Sequence, residues 1–71
     1  MDAIIKKLAQ ALVDVWNNLP GWIQWSIEQV GGTDLVTAIK SGVAATIDYL
    51  SNLASWVIDQ LISLIGSVIG F

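Results

Sequence analysis

Residues 35 to 71 read LVTAIKSGVAATIDYLSNLASWVIDQLISLIGSVIGF, and the alternation of polar and apolar side chains along them decides the fold class. Thr37, Ser41, Asp48, Asn52, Ser55, Asp59, Ser63 and Gly66 follow one another at steps of three, four or seven, and nearly everything between them is Leu, Ile, Val, Ala, Trp or Tyr. That is the period of an α-helix. At about 100° per residue, Asp34, Asp48 and Asp59 project within roughly 40° of one another, and apolar surface takes up around two thirds of the circumference. So wide an arc exceeds what one small core asks of a helix. It calls for a second apolar partner, either lipid or further copies of the chain. Unbroken, residues 34–70 would extend about 55 Å at 1.5 Å per residue, well beyond a ~30 Å hydrocarbon slab. A break or a surface-lying portion is therefore expected, with Gly42 and the region from Tyr49 to Asn52 as the weakest points.

Upstream, the punctuation falls at Asn17-Asn18-Leu19-Pro20-Gly21 and at Gly31-Gly32. Before it, Ile4, Ile5, Leu8, Leu12, Val15, Trp16 and Leu19 keep the spacing of one apolar helical face, opposite Asp2, Lys6, Lys7, Gln10, Asp14 and Asn17. Pro20 suits a first helical turn, where its missing N–H has no intrahelical partner, so a short second helix is expected from about Pro20 to Val30. The alternation Ile23, Trp25, Ile27 also fits a strand. A lone strand would have no partner in this chain, which favours helix. Thr33 followed by Asp34 predicts a hydroxyl N-cap and an acid facing the positive end of the dipole. The expected fold is all-α: two or three amphipathic helices, about 2–19, 20–30 and 34–70. They form a single small domain over 1–71, a helical hairpin or small bundle, oligomeric or membrane-associated. Within it, residues 1–30 are the amphipathic N-terminal helices and 33–71 the long apolar C-terminal segment.

Composition narrows the function. A 71-residue chain with no Cys and no His has neither a disulfide framework nor a zinc site, and so small a core rarely supplies more than ~3–5 kcal/mol unaided. Stability must then come from helix packing, self-association or a membrane. Hydrophobic residues make up 55% of the chain and charged residues 13%, against an ordinary ~25% charged, which points away from both disorder and a typical soluble surface. The formal net charge is −3, with Lys6, Lys7 and Lys40 the only cations. Nucleic acid is excluded as a partner, because phosphate binding needs clustered Lys or Arg. Catalysis has no support either: there is no His to act as base, no nucleophile elbow and no phosphate-cradling loop. Asp48 and Asp59 lie about 16 Å apart by helix rise, too far for a paired acid and base. No catalytic, cofactor-binding or metal site, and no small-molecule substrate, is expected.

Lys6-Lys7 followed by Leu8 to Val13 superficially resembles the start of a secretion signal, but Asp14 and Asn17-Asn18 interrupt the apolar run and no small-residue cleavage site follows. Residues 1–19 read as mature structure. The protein is expected to be secreted without a cleaved leader, or to be membrane-associated.

The run Leu35-Val36-Thr37-Ala38-Ile39-Lys40-Ser41-Gly42-Val43-Ala44-Ala45-Thr46-Ile47 resembles the first helix of the β-class phenol-soluble modulins and related staphylococcal haemolytic peptides, which carry a similar Leu-x-x-Ala-Ile-Lys run. The ending from Val57 to Phe71 resembles that family's carboxyl terminus: Asp59-Gln60 side by side, an apolar run, Gly66, then Gly70-Phe71. The resemblance covers about half the chain. It implies a secreted, leaderless, amphipathic helical peptide that associates with membranes and with itself. Residues 1–32 have no evident counterpart in those shorter peptides, the four Trp are unusual for them, and the join between the two matched stretches is shorter here by roughly one helical turn. A similarity of type alone, with no residue motif, extends to the small leaderless porins of mycolic-acid bacteria.

The expected function is therefore membrane activity: a chain that self-associates and permeabilises bilayers or forms channels, as a peptide toxin, a bacteriocin-like protein or a small cation-selective porin. Over Leu53 to Phe71 about ten strongly apolar residues contribute roughly −0.3 to −0.6 kcal/mol each to insertion, against about +2.5 to +3.5 for Asp59. A lone span is marginal. An oligomer that turns Asp48, Asn52, Ser55, Asp59 and Ser63 toward water removes most of the penalty and lines a conduit that favours cations. Ser63, Gly66 and Gly70 add a small-residue edge for close helix packing. Trp16, Trp22, Trp25 and Trp56 suit either core packing or a membrane–water boundary. Lys6 and Lys7 read as a solvated helix face, with attraction to lipid headgroups as the alternative. The competing expectation is a soluble helical interaction module, or a small subunit of a membrane complex, whose apolar surface binds another protein.

Overall fold

In the computed structural model, which describes residues 2–69, the chain folds into five α-helices: α1 (Asp2–Val15), α2 (Gly21–Gly31), α3 (Thr33–Ser41), α4 (Val43–Ser51) and α5 (Ser55–Ile69). No strand occurs among the described residues. The amphipathic spacing of α1 buries Ile5, Leu8, Ala9 and Leu12. A short 3-10 turn, Trp16–Asn18, then carries Trp16 and Leu19 into the core. Ile4, expected on the same face, lies instead at its edge and is 46% exposed. Helix α2 buries Ile23 and Ile27, so the alternating apolar residues of this stretch follow helical spacing and Trp25 turns outward. Pro20 stands one residue before the position expected for it. It is the N-cap, and its carbonyl accepts the N–H groups of Ile23 and Gln24 at 3.0 and 3.1 Å.

The long segment 34–70 is three helices, so the expected count of two or three is corrected to five. One break lies at Gly42, whose φ of +119° is open to glycine at little cost and strains any other residue. The other lies at 52–54, where the Asn52 side chain donates to the Asp48 carbonyl at 2.9 Å, and the Ala54 carbonyl starts α5 by accepting from Val57 and Ile58. Thr33 is also corrected. It is the first helical residue, and Gly32, at φ +93°, takes the cap position with no side-chain cap hydrogen bond. Asp34 in the first turn and Lys40 in the last still match the helix dipole.

The breaks let the apolar arc close on the rest of the chain. Leu35, Ile39, Leu50, Val57, Ile58, Leu61 and Ile65 join the α1 and α2 residues in one core. Helix α1 packs on α4, α3 on α4, and α2 on both α5 and α3. The exposed area is 4095 Å², against ~4,300 Å² for a folded monomer of this mass. Most of the apolar excess of 35–71 is thus consumed within the fold.

Candidate functional site

Not all apolar surface is consumed. Trp22, Trp25 and Trp56 are 67%, 63% and 66% exposed. Trp22, Trp25 and Gln29 follow at helical steps on the outer face of α2, opposite buried Ile23 and Ile27. Trp56 stands in the first turn of α5 among Ser55, Asp59, Gln60 and Ser63, opposite buried Val57, Ile58, Leu61 and Ile65. Helix register explains both placements: turning these indoles inward would turn the aliphatic stripes outward. Trp16 differs from the other three, being 8% exposed and packed in the core. Its carbonyl accepts the Gln24 side-chain amide at 2.6 Å, which ties the α1 exit to α2. Ile4, Val68 and Ile69 add partly exposed aliphatic surface near the chain ends.

Each member of the polar set, Asp48, Asn52, Ser55, Asp59 and Ser63, is exposed. The turn at 52–54 divides them: Asp48 lies in the last turn of α4 and Asn52 in the connecting turn itself, while Ser55, Asp59 and Ser63 run at steps of four along the outside of α5. Of the packing residues, Ser63 is exposed and Gly66 half-buried, and Gly70 lies outside the described residues. Ser26, Ser41, Ser51 and Ser67 each donate to the carbonyl four residues earlier, at 2.8 to 2.9 Å. Those hydroxyls are internally satisfied.

Two polar residues to which the sequence assigned no structural role hold the scaffold. Thr46 is fully buried, its hydroxyl shared between the carbonyls of Ala38 at 3.1 Å and Gly42 at 2.8 Å, clamping α3 to α4 across the Gly42 break. Its spacing of four from Gly42 and from Leu50 was the available signal. The Tyr49 hydroxyl donates to the Gly31 carbonyl at 2.7 Å, joining α4 to the end of α2. That contact spans 18 residues and leaves no local trace.

No helix among the described residues is long and apolar enough to cross a membrane. The longest, α5, has 15 residues, about 22 Å at 1.5 Å per residue, against ~30 Å of hydrocarbon. Compared with protein-family models, curated proteins and solved structures, the chain matches none.

Proposed function

We propose that this protein is a non-catalytic, membrane-active helical unit that docks at the lipid–water boundary, self-associates there and permeabilises or conducts. One observation carries the reading: three indoles, each about two-thirds exposed, on a chain with 13% charged residues. A ring left in water forfeits the burial that gives Trp its value, whereas at a bilayer boundary the ring enters the acyl region and the N–H stays wet. The modulin-like run from Leu35 and the ending at Gly70-Phe71 support the same class, as a secreted toxin or bacteriocin-like protein. Because α5 is short, the compact form is the docking form. A conducting form needs several copies, with Asp48, Asn52, Ser55, Asp59 and Ser63 turned to water. Purified chain added at micromolar concentration to neutral and anionic vesicles should release trapped dye and carry current across a planar bilayer. Silence in both assays would end this reading.

A second reading is favoured by the closed core, whose exposed area matches that of an ordinary monomer. Here the same indoles anchor a protein partner, since Trp is enriched among residues that dominate interface energies. Sedimentation without detergent separates the two. A stable monomer that ignores vesicles would support the interaction module, and vesicle-bound oligomers the membrane unit.

A further inference from the structure

Beside the exposed indoles, a groove of about 320 Å³ runs between α2 and α3, with Trp16, Gln24, Trp25, Glu28, Val36 and Lys40 in its walls. That volume is at the low end of the ~300–1,000 Å³ typical of small-molecule sites. Its chemistry is mixed in a specific way. Glu28 and Lys40 bring opposite charges from the two helices, yet among the described residues neither side chain forms an ion pair or hydrogen bond. Lys40 is also the only cation outside the Lys6-Lys7 pair. The Trp25 ring stands beside them at 63% exposure, and the Gln24 amide, held on the Trp16 carbonyl, fixes one wall.

Such a groove complements a ligand that is itself a dipole of separated charges. We propose that it seats a zwitterionic phosphate ester of the phosphocholine or phosphoethanolamine type. The Lys40 ammonium meets the phosphate, and the ligand's ammonium lies between the Glu28 carboxylate and the face of the Trp25 indole. A cation over an indole face is a favoured arrangement, more so when partly desolvated. A net charge of −3 disfavours purely anionic surfaces, and the two lysines of α1 offset little of that. A headgroup carrying both signs leaves neither groove charge unmatched. This rests on the membrane reading for its lipid source and narrows it to zwitterionic lipid.

The test titrates purified protein with phosphocholine, inorganic phosphate and choline separately, following the Trp25 indole N–H by NMR. Partition onto phosphatidylcholine and phosphatidylglycerol vesicles is measured in parallel. Phosphocholine should shift Trp25 saturably in the millimolar range, with phosphate and choline each about tenfold weaker, since each uses half of the site. Lys40→Gln and Glu28→Gln should each weaken phosphocholine about tenfold with unchanged helical circular dichroism. In the double variant partition onto phosphatidylcholine should fall, and partition onto phosphatidylglycerol should not. No Trp25 shift up to tens of millimolar phosphocholine, or equal shifts in wild type and double variant, overturns the proposal even if vesicles leak. A variant-sensitive shift without vesicle binding supports the groove, assigns it to a free headgroup ester, and overturns the membrane reading alone.

Discussion

Gly42 and Gly21 show how the same side-chain change acts oppositely at two places. Both are open to a methyl group, with nothing within 4 Å of a built Cβ. Only Gly42 has a positive φ, at +119°. Gly42→Ala should therefore cost about 1–3 kcal/mol through backbone strain alone, while Gly21→Ala, in the first turn of α2, should stabilise by roughly 0.4–1 kcal/mol by restricting the unfolded chain. Urea denaturation of the two variants checks the pair, and equal effects would refute the strain argument. Gly32 adds a second penalty, because at φ +93° a Cβ would also lie 3.0 Å from the Tyr49 hydroxyl that donates to Gly31. Thr46→Val should cost about 0.5–1.5 kcal/mol, the usual net worth of a buried hydrogen bond. Both carbonyls it leaves keep a backbone donor, from Gly42 and from the residue 46 N–H itself.

The break at Gly42 was legible because glycine punctuates, and the all-helical class was legible because a period near 3.6 holds from α1 to α5. The break at 52–54 was only half legible. Asn52, Leu53 and Ala54 tolerate helix, and continuing it would leave α5 pointing away from α2 with Ile58, Leu61 and Ile65 in water. Tertiary burial decides such a boundary, and a local pattern does not record it. The polar stripe was legible as an exposed set, but its unity was not, since a straight helix was the premise of drawing it. Leu61 is fully buried at the centre of α5. Leu61→Ala should cost about 2–5 kcal/mol, a large part of the ~4–11 kcal/mol ordinary for a chain of this length. The variant should lose its cooperative thermal transition near ambient temperature. An unchanged melting curve would mean that α5 contributes little to the core.

In the proposed membrane reading, folding and membrane binding draw on different sides of the same helices, so they should separate experimentally. Trp22, Trp25 and Trp56 are exposed in the folded unit, and surface changes of this kind usually alter stability by no more than ~0.5 kcal/mol. Burying a large apolar side chain is worth about 1.5–3 kcal/mol. Replacing any one of the three with Gln should therefore weaken vesicle partition by roughly 10- to 150-fold and leave the denaturation midpoint almost unchanged. Trp16→Gln should do the reverse, because that ring is in the core. Intrinsic fluorescence with added vesicles reads the first effect and urea unfolding the second. Partition that survives all three outer substitutions would assign docking to another surface.

The proposed conduction would add a further demand, because the acids that face water in the compact unit must face water again in an assembly. Asp59, between Ser55 and Ser63 on the outside of α5, is the one charged residue of that helix and costs about 2.5–3.5 kcal/mol to place against lipid near the bilayer centre. Asp59→Asn removes the charge and keeps the shape. If copies turn this row inward, the variant should insert at least as readily and lose cation preference, since a ring of carboxylates is what attracts cations. Reversal potentials under a salt gradient measure that preference. An unaltered reversal potential would place Asp59 away from the conduit, and permeabilisation would then proceed by surface disruption through the indoles.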